Sequence, residues 1–168
     1  MRKGLAALGS VLFFILAPGI VGGLVPWWIS RRGADTASLG WPLQGLGVML
    51  IAAGALVLLD SFARFALQGL GTPAPVFPTR HLVITGLYRH VRNPMYVAVV
   101  AVILGQSLLL GNLRVLEYGG LVWLGFNLFV LLYEEPTLRA THGKEYENFC
   151  SNVPRWIPRL RAWQPDKY

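Results

Sequence analysis

The chain has 168 residues, of which 54% are hydrophobic and 14% charged, with a mean hydropathy of +0.50. A soluble domain carries about 25% charged residues to wet its surface, so lipid must cover much of this one and a soluble globular fold is excluded. The net charge of +7 would suggest nucleic acid in a soluble chain; here it fits membrane topology and contact with anionic headgroups, and no nucleic-acid partner is expected. The single cysteine, Cys150, rules out an intramolecular disulfide framework.

Four apolar runs approach the roughly 20 residues that a helix needs to cross a bilayer. They place transmembrane helices at about 5–29, 43–67, 95–110 and 115–133 in a single membrane domain, 1–168, with a helical cytoplasmic segment at 134–168. The expected fold class is therefore all-α integral membrane. The first run opens Met1-Arg2-Lys3, as a signal peptide does, but its length and its closing Pro26-Trp27-Trp28 predict a retained span, kinked at Pro18. Residues 33–40 form a short outer loop, and the Gly- and Pro-rich residues 69–78 form a cytoplasmic one. Gly111-Asn112 predicts a tight outer turn that makes spans three and four an antiparallel hairpin.

Orientation follows from the flanking cations. With both termini cytoplasmic, Arg2, Lys3, Arg64, Arg80, Arg89, Arg92 and the six basic residues of the tail lie inside, and only Arg31, Arg32 and Arg114 lie outside. The Arg31-Arg32 pair is the one feature against this arrangement. A bacterial inner membrane is the expected location.

The hairpin brings two polar motifs to one membrane face. Asn93-Pro94 predicts a helix start, with Asn as N-cap and Pro at the first helical position. Such an end carries free backbone N–H groups and a partial positive charge that favours an anion, and Arg92 adds a planar cationic fork. The plainer alternative is a capped helix with a cytoplasmic-side arginine. Glu134 and Glu135 fall where span four is expected to end, and there the helix dipole disfavours each carboxylate by about 0.3–1 kcal/mol. Ionisable groups near the bilayer are costly as well, so a cation is expected to offset them; the plainer alternative is pairing with Arg89, Arg92 or Arg139, or exposure to water. An anion site beside a cation site suits a ligand carrying both a carboxylate and a positive charge. Charge alone does not choose among amino-acid-like ligands of that kind.

The strings Gly86-Leu-Tyr88-Arg-His-Val-Arg92-Asn-Pro-Met-Tyr96, Leu104-Gly105, Leu131-Leu-Tyr-Glu134-Glu135-Pro136 and Leu138…Gly143-Lys-Glu-Tyr146…Val153-Pro…Pro158 stand in order along the chain. Together they resemble the integral membrane methyltransferases, which include isoprenylcysteine carboxyl methyltransferase and phosphatidylethanolamine N-methyltransferase. The resemblance covers residues 85–158, and spans one and two carry no string of the family. It implies S-adenosylmethionine as cofactor, bound by Tyr88, Arg92, Asn93, Pro94, Tyr96, Gly105, Glu134, Glu135 and Tyr146, with Arg92 and Glu135 as the catalytic pair and no metal. Arg92, Asn93, Pro94 and Tyr96 match the family's Arg-His-Pro-x-Tyr motif; Asn93 stands where His is commoner, as in the phospholipid enzyme, which removes an imidazole role there. Gly105 would let the cofactor approach the helix backbone, helix–helix packing being the alternative. Tyr146 matches the aromatic of the C-terminal signature or makes an ordinary amphipathic-helix contact.

The implied activity is methyl transfer to a lipophilic or membrane-delivered acceptor: a prenylcysteine-like carboxylate, a phospholipid amine or a related small molecule. Such a displacement needs positioning and exclusion of water more than covalent help. An amine acceptor must first lose a proton, for which His90 and the two glutamates are the candidates. Asp60 and Arg64, four apart on span two, read as an interfacial ion pair or the lining of a substrate entrance. The tail, with Arg155, Trp156, Arg159, Arg161 and Trp163, reads as a basic aromatic segment on the headgroups or as a flap closing over the cofactor through Arg155. A small four-helix transporter and a non-catalytic membrane subunit are the competing functions, and the oligomeric state is not legible.

Overall fold

The structure is a computed structural model that describes residues 18–32, 39–68, 82 and 84–164. The first half of span one, most of the loop at 33–40, the Gly- and Pro-rich loop, Arg2, Lys3 and Arg80 lie outside the described residues. Within them the regular structure is helical. A π-helical turn, Ile20–Leu24, leads into α1 (Val25–Arg32); α2 is Trp41–Gln68, and a 3₁₀ turn, Gly86–Arg89, precedes α3 (Pro94–Leu110). Helix α4 (Leu113–Phe129) passes through a second π-helical turn, Val130–Glu134, into α5 (Glu135–His142), and α6 (Lys144–Asn152) comes next.

Two stretches, Gly40–Arg64 and Leu113–His142, are long and apolar enough to cross a membrane, and Pro94–Leu110 is apolar but shorter. At the usual helical rise α3 is about 25 Å long, a little under the hydrocarbon thickness of about 30 Å.

The α2–α3 contact is made by small residues. A Cβ on Gly105 would fall 2.6 Å from the Gly47 carbonyl oxygen, and one on Gly54 2.8 Å from that of Ala98. Close backbone approach of this kind is how membrane helices gain contact where lipid removes the hydrophobic drive. Leu58 and Phe62 of α2, Ala98, Val99 and Ile103 of α3 and Val115 of α4 form the buried core between the helices. The expected hairpin turn is present: Gly111 takes φ +61°, and the Asn112 side-chain oxygen accepts from the Val115 amide at 3.2 Å.

Each π turn precedes a proline at the second position of the next α segment, Pro26 in α1 and Pro136 in α5. Proline has no N–H to give the carbonyl four residues back, and its ring crowds that carbonyl. Widening to an i→i−5 bond, from Val25 to Ile20 and from Glu135 to Val130, makes room for the ring. The first turn deprives the Val21 and Gly22 carbonyls of their i+4 amides, since Val25 donates to Ile20 and Pro26 has no N–H. Tyr118 of α4 donates to Val21 at 3.0 Å, and Gln106 of α3 donates to Gly22 at 2.6 Å.

A second, smaller core forms where α6 meets the tail. Tyr146, Phe149 and Val153 are buried, with Leu82, Ile84, Leu138 and Trp163 packed on them. Beyond α6 the tail turns back along the segment before α3, tied by backbone bonds from Arg92 to the Pro154 carbonyl, from Arg159 to His90 and from Trp163 to Arg89, each 2.9 Å.

Candidate functional site

Pro94 opens α3 as expected, and Asn93 holds the N-cap position, but the Asn93 side chain makes no capping bond. Its amide instead donates to the Arg155 carbonyl at 3.2 Å. The expectation of an Asn cap is thereby corrected. The docked tail offers a carbonyl that the amide can reach, and the residue serves as an anchor for the strap.

The expected end of span four is also corrected. The chain does not stop at Glu134-Glu135; it continues as helix to His142, so the carboxylates do not face a helix C-terminus and the dipole penalty does not apply. Glu135 instead lies in the first turn of α5. The π turn splays the two acids. Glu134 accepts from the Tyr96 hydroxyl at 3.0 Å, whereas Glu135 accepts from Arg92 at 2.9 Å and, with both oxygens, from Arg155 at 2.6 and 3.0 Å. Glu135 is 5% exposed. Arginine neutralises it, Arg155 being the second partner beside Arg92.

Arg92 is the hub. Its Nη1 donates both to Glu135 and to the Cys150 sulfur, each at 2.9 Å, while its Nε is buried with no partner among the described residues. An unsatisfied guanidinium N–H costs about 1–3 kcal/mol or more. Beside it opens a cleft of about 450 Å³ lined by Arg92, Arg139, Glu147, Cys150 and Ser151. That volume lies within the range of small-molecule sites, and the lining presents cations and a carboxylate together.

Two tyrosines of the region keep their phenol protons. Burial, with the Glu134 charge next, pushes the Tyr88 hydroxyl well above the usual phenol range. Burial does the same for Tyr146, whose hydroxyl meets Cys150. The hydrogen bonds to Glu135 raise Arg155, which therefore stays charged. No group of His, Cys, Asp and Glu able to hold a metal occurs among the described residues.

The phospholipid methyltransferase family model matches residues 43–145, more than half of the chain. The chain belongs to that family. Protein-S-isoprenylcysteine O-methyltransferase of Schizosaccharomyces pombe is 36% identical to it over 82 residues, which are 48% of this chain and 34% of the yeast protein. The match thus spans about a third of the length of that curated relative.

The family region begins at 43 and so takes in α2, where no family string is recognisable by eye, and it includes Arg92, Asn93, Pro94, Tyr96, Glu134 and Glu135. It ends before Tyr146, Cys150 and Arg155, which complete the Arg92 cluster from the C-terminal segment. Of the residues expected to form a site, Tyr88, Arg92, Asn93, Pro94, Tyr96, Glu134, Glu135 and Tyr146 converge. Gly105 does not: it lies about 16 Å along α3 from Pro94 by the helical rise and faces Gly47 and Ile51 of α2, a packing position. His90 is held through Nδ1 by the Arg159 carbonyl at 2.8 Å, which makes it an anchor of the tail. Sequence reading missed Cys150 and Glu147 as lining residues. Their signal is spacing: Tyr146, Phe149, Cys150 and Val153 follow the i, i+3, i+4, i+7 pattern of one helix face, which turns Cys150 toward the site.

Proposed function

We propose that the chain is a membrane-embedded methyltransferase that uses S-adenosylmethionine and acts on a lipophilic acceptor delivered from the bilayer. The observation that carries the reading is the Arg92 hub: a buried guanidinium shared between Glu135 and Cys150, with an unsatisfied Nε, at the wall of the cleft. These residues fit an amino-acid-like ligand, since Arg92 and Arg139 can hold its carboxylate and Glu147, on the cleft wall, its ammonium. S-adenosylmethionine supplies an electrophilic methyl group on a sulfonium. The protein's part is to orient the partners and exclude water. Glu135 and Arg92 fix the geometry of the cleft, Arg155 closes the tail over it, and Tyr96 holds Glu134. With Glu135 saturated by arginine and His90 committed to the tail, Glu134 is the carboxylate left to take a proton from an amine acceptor.

Four spans are supported by the two long apolar helices, the shorter α3 between them and the apolar start of the chain, and cytoplasmic termini by the flanking cations alone. The yeast relative's name supports a prenylcysteine-like carboxylate as one acceptor class, and the family's name supports a phospholipid. Titration calorimetry of detergent-purified protein with S-adenosylmethionine and its demethylated product is the direct test. Saturable binding of both is expected; absence of binding by either refutes the reading.

A further inference from the structure

A second groove, of about 510 Å³, lies between α2 and the 86–90 segment; its lining includes Leu56, Asp60, Arg64, Leu87 and Arg89. Leu56, Asp60 and Arg64 stand four apart and so share one stripe of α2. The stripe is graded: Leu56 is 67% exposed and apolar, and the charges follow toward the end of the helix. Arg64 grips Asp60 through Nε and Nη2 at 2.8 and 2.9 Å, with both side chains about a third exposed. The guanidinium rests directly on Gly86, where an added Cβ would come within 2.3 Å of Cζ and where φ is +56°. An exposed i, i+4 pair contributes little stability and requires no such seat. A glycine that fixes the guanidinium against the loop holds a cation in place at the mouth of an apolar groove. With Arg89 beside it, the groove carries one net positive charge.

We infer that this groove binds the headgroup of an anionic amphiphile, with the alkyl chain along Leu56 and Val57 and the anion at Arg64 and Arg89. The inference rests on the methyl-transfer reading in one respect, that the amphiphile is the acceptor. Tyr88 stands in the chain between Leu87 and Arg89 of this lining, and the charges of Glu134 and Asp60 both act on it. A carboxylate and a phosphate both suit the groove.

The test uses the full chain in zwitterionic lipid nanodiscs with three photoreactive alkyl probes bearing a carboxylate, a phosphate monoester or a neutral hydroxyl. Labelling is mapped by mass spectrometry. At least one anionic probe is expected to label residues 56–64 or 86–90 saturably, and whichever does so names the headgroup. Arg64→Gln should weaken that labelling about tenfold, and Arg64→Lys should restore most of it. Asp60→Asn should strengthen it, because it frees the guanidinium. A purely structural ion pair would make Arg64→Gln and Asp60→Asn act in the same direction, and that result overturns the inference. So does equal labelling of these segments by the hydroxyl probe. Wild-type discs are titrated with S-adenosylmethionine in parallel. Cofactor binding without headgroup-selective labelling overturns the groove alone; selective labelling without cofactor binding overturns the methyl-transfer reading alone.

Discussion

Replacing Arg155 with Ala tests whether the tail is a strap held by the site. Arg155 gives Glu135 two hydrogen bonds, at 2.6 and 3.0 Å, and a bond to a charged group contributes about 1.5–3 kcal/mol. Two features reduce the cost. The Arg155 side chain is 30% exposed and so partly screened. Glu135 also keeps Arg92 at 2.9 Å, so the carboxylate is not stranded as it would be on losing its sole partner, at about 3–5 kcal/mol. Arg155→Ala should therefore cost about 1.5 kcal/mol, a factor of about ten in the equilibrium for releasing the tail. The amides of Arg92, Arg159 and Trp163 report that release, because each donates across the strap. Hydrogen exchange followed by mass spectrometry should quicken about tenfold in peptides containing them and stay unchanged in peptides from the Ala98–Ile103 core. Unchanged exchange in the strap would refute the reasoning, as would an equal rise in the core.

Glu135→Gln should weaken S-adenosylmethionine binding at least about tenfold by calorimetry, since it removes the charge that both arginines grip; unchanged affinity would take the acid out of the site. Gly105→Ala should lower thermal stability by about 1–3 kcal/mol through the clash with the Gly47 carbonyl. A loss of cofactor affinity at undiminished stability would return Gly105 to the binding site. Gln106→Leu should cost about 1–3 kcal/mol, because it strips the Gly22 carbonyl of its donor; a melting temperature equal to wild type would show that another group satisfies that carbonyl.

The features legible in the sequence are those that local rules govern. Pro94 fixes the start of α3, Gly111-Asn112 fixes the turn, and apolar length marks α2, α3 and α4, all within a few residues of where the helices fall. Glu134-Glu135-Pro136 misleads for a specific reason: proline ordinarily ends a helix before it, and a π turn is an exception that the pattern does not announce. The strap is legible only as one of two readings of the tail, because most of its ties are main-chain bonds between segments about 60–75 residues apart, and main-chain bonding leaves no side-chain period. Asn93 resembles a cap because caps are local, and it loses that role to a carbonyl 62 residues away. Gly105 shows the limit from the other side, since a glycine that admits a ligand and one that admits a helix are the same residue.

The divergence of Glu134 and Glu135 has one cause that can be isolated. At the first π turn, Ile20–Leu24, there is no acidic residue and no ion pair, yet the same widening precedes Pro26. The factor common to both turns is the proline, so the glutamates follow the π turn at 130–134 rather than create it. Pro136→Ala restores an N–H that can reach the Leu132 carbonyl, and an interior proline costs a helix about 3 kcal/mol relative to alanine. Tightening to i→i−4 then shifts the register by one residue, and α5 rotates by about 100° relative to α4. Glu135 could no longer meet Arg92 and Arg155 while Glu134 meets Tyr96. The helix gain is offset by the lost Glu135 bonds, at about 1.5–3 kcal/mol each, so the variant should melt at or below wild type and bind S-adenosylmethionine at least about tenfold more weakly. Calorimetry beside a thermal melt reads both quantities. Wild-type affinity in the variant would mean that the arginines, and not the proline, hold the turn open.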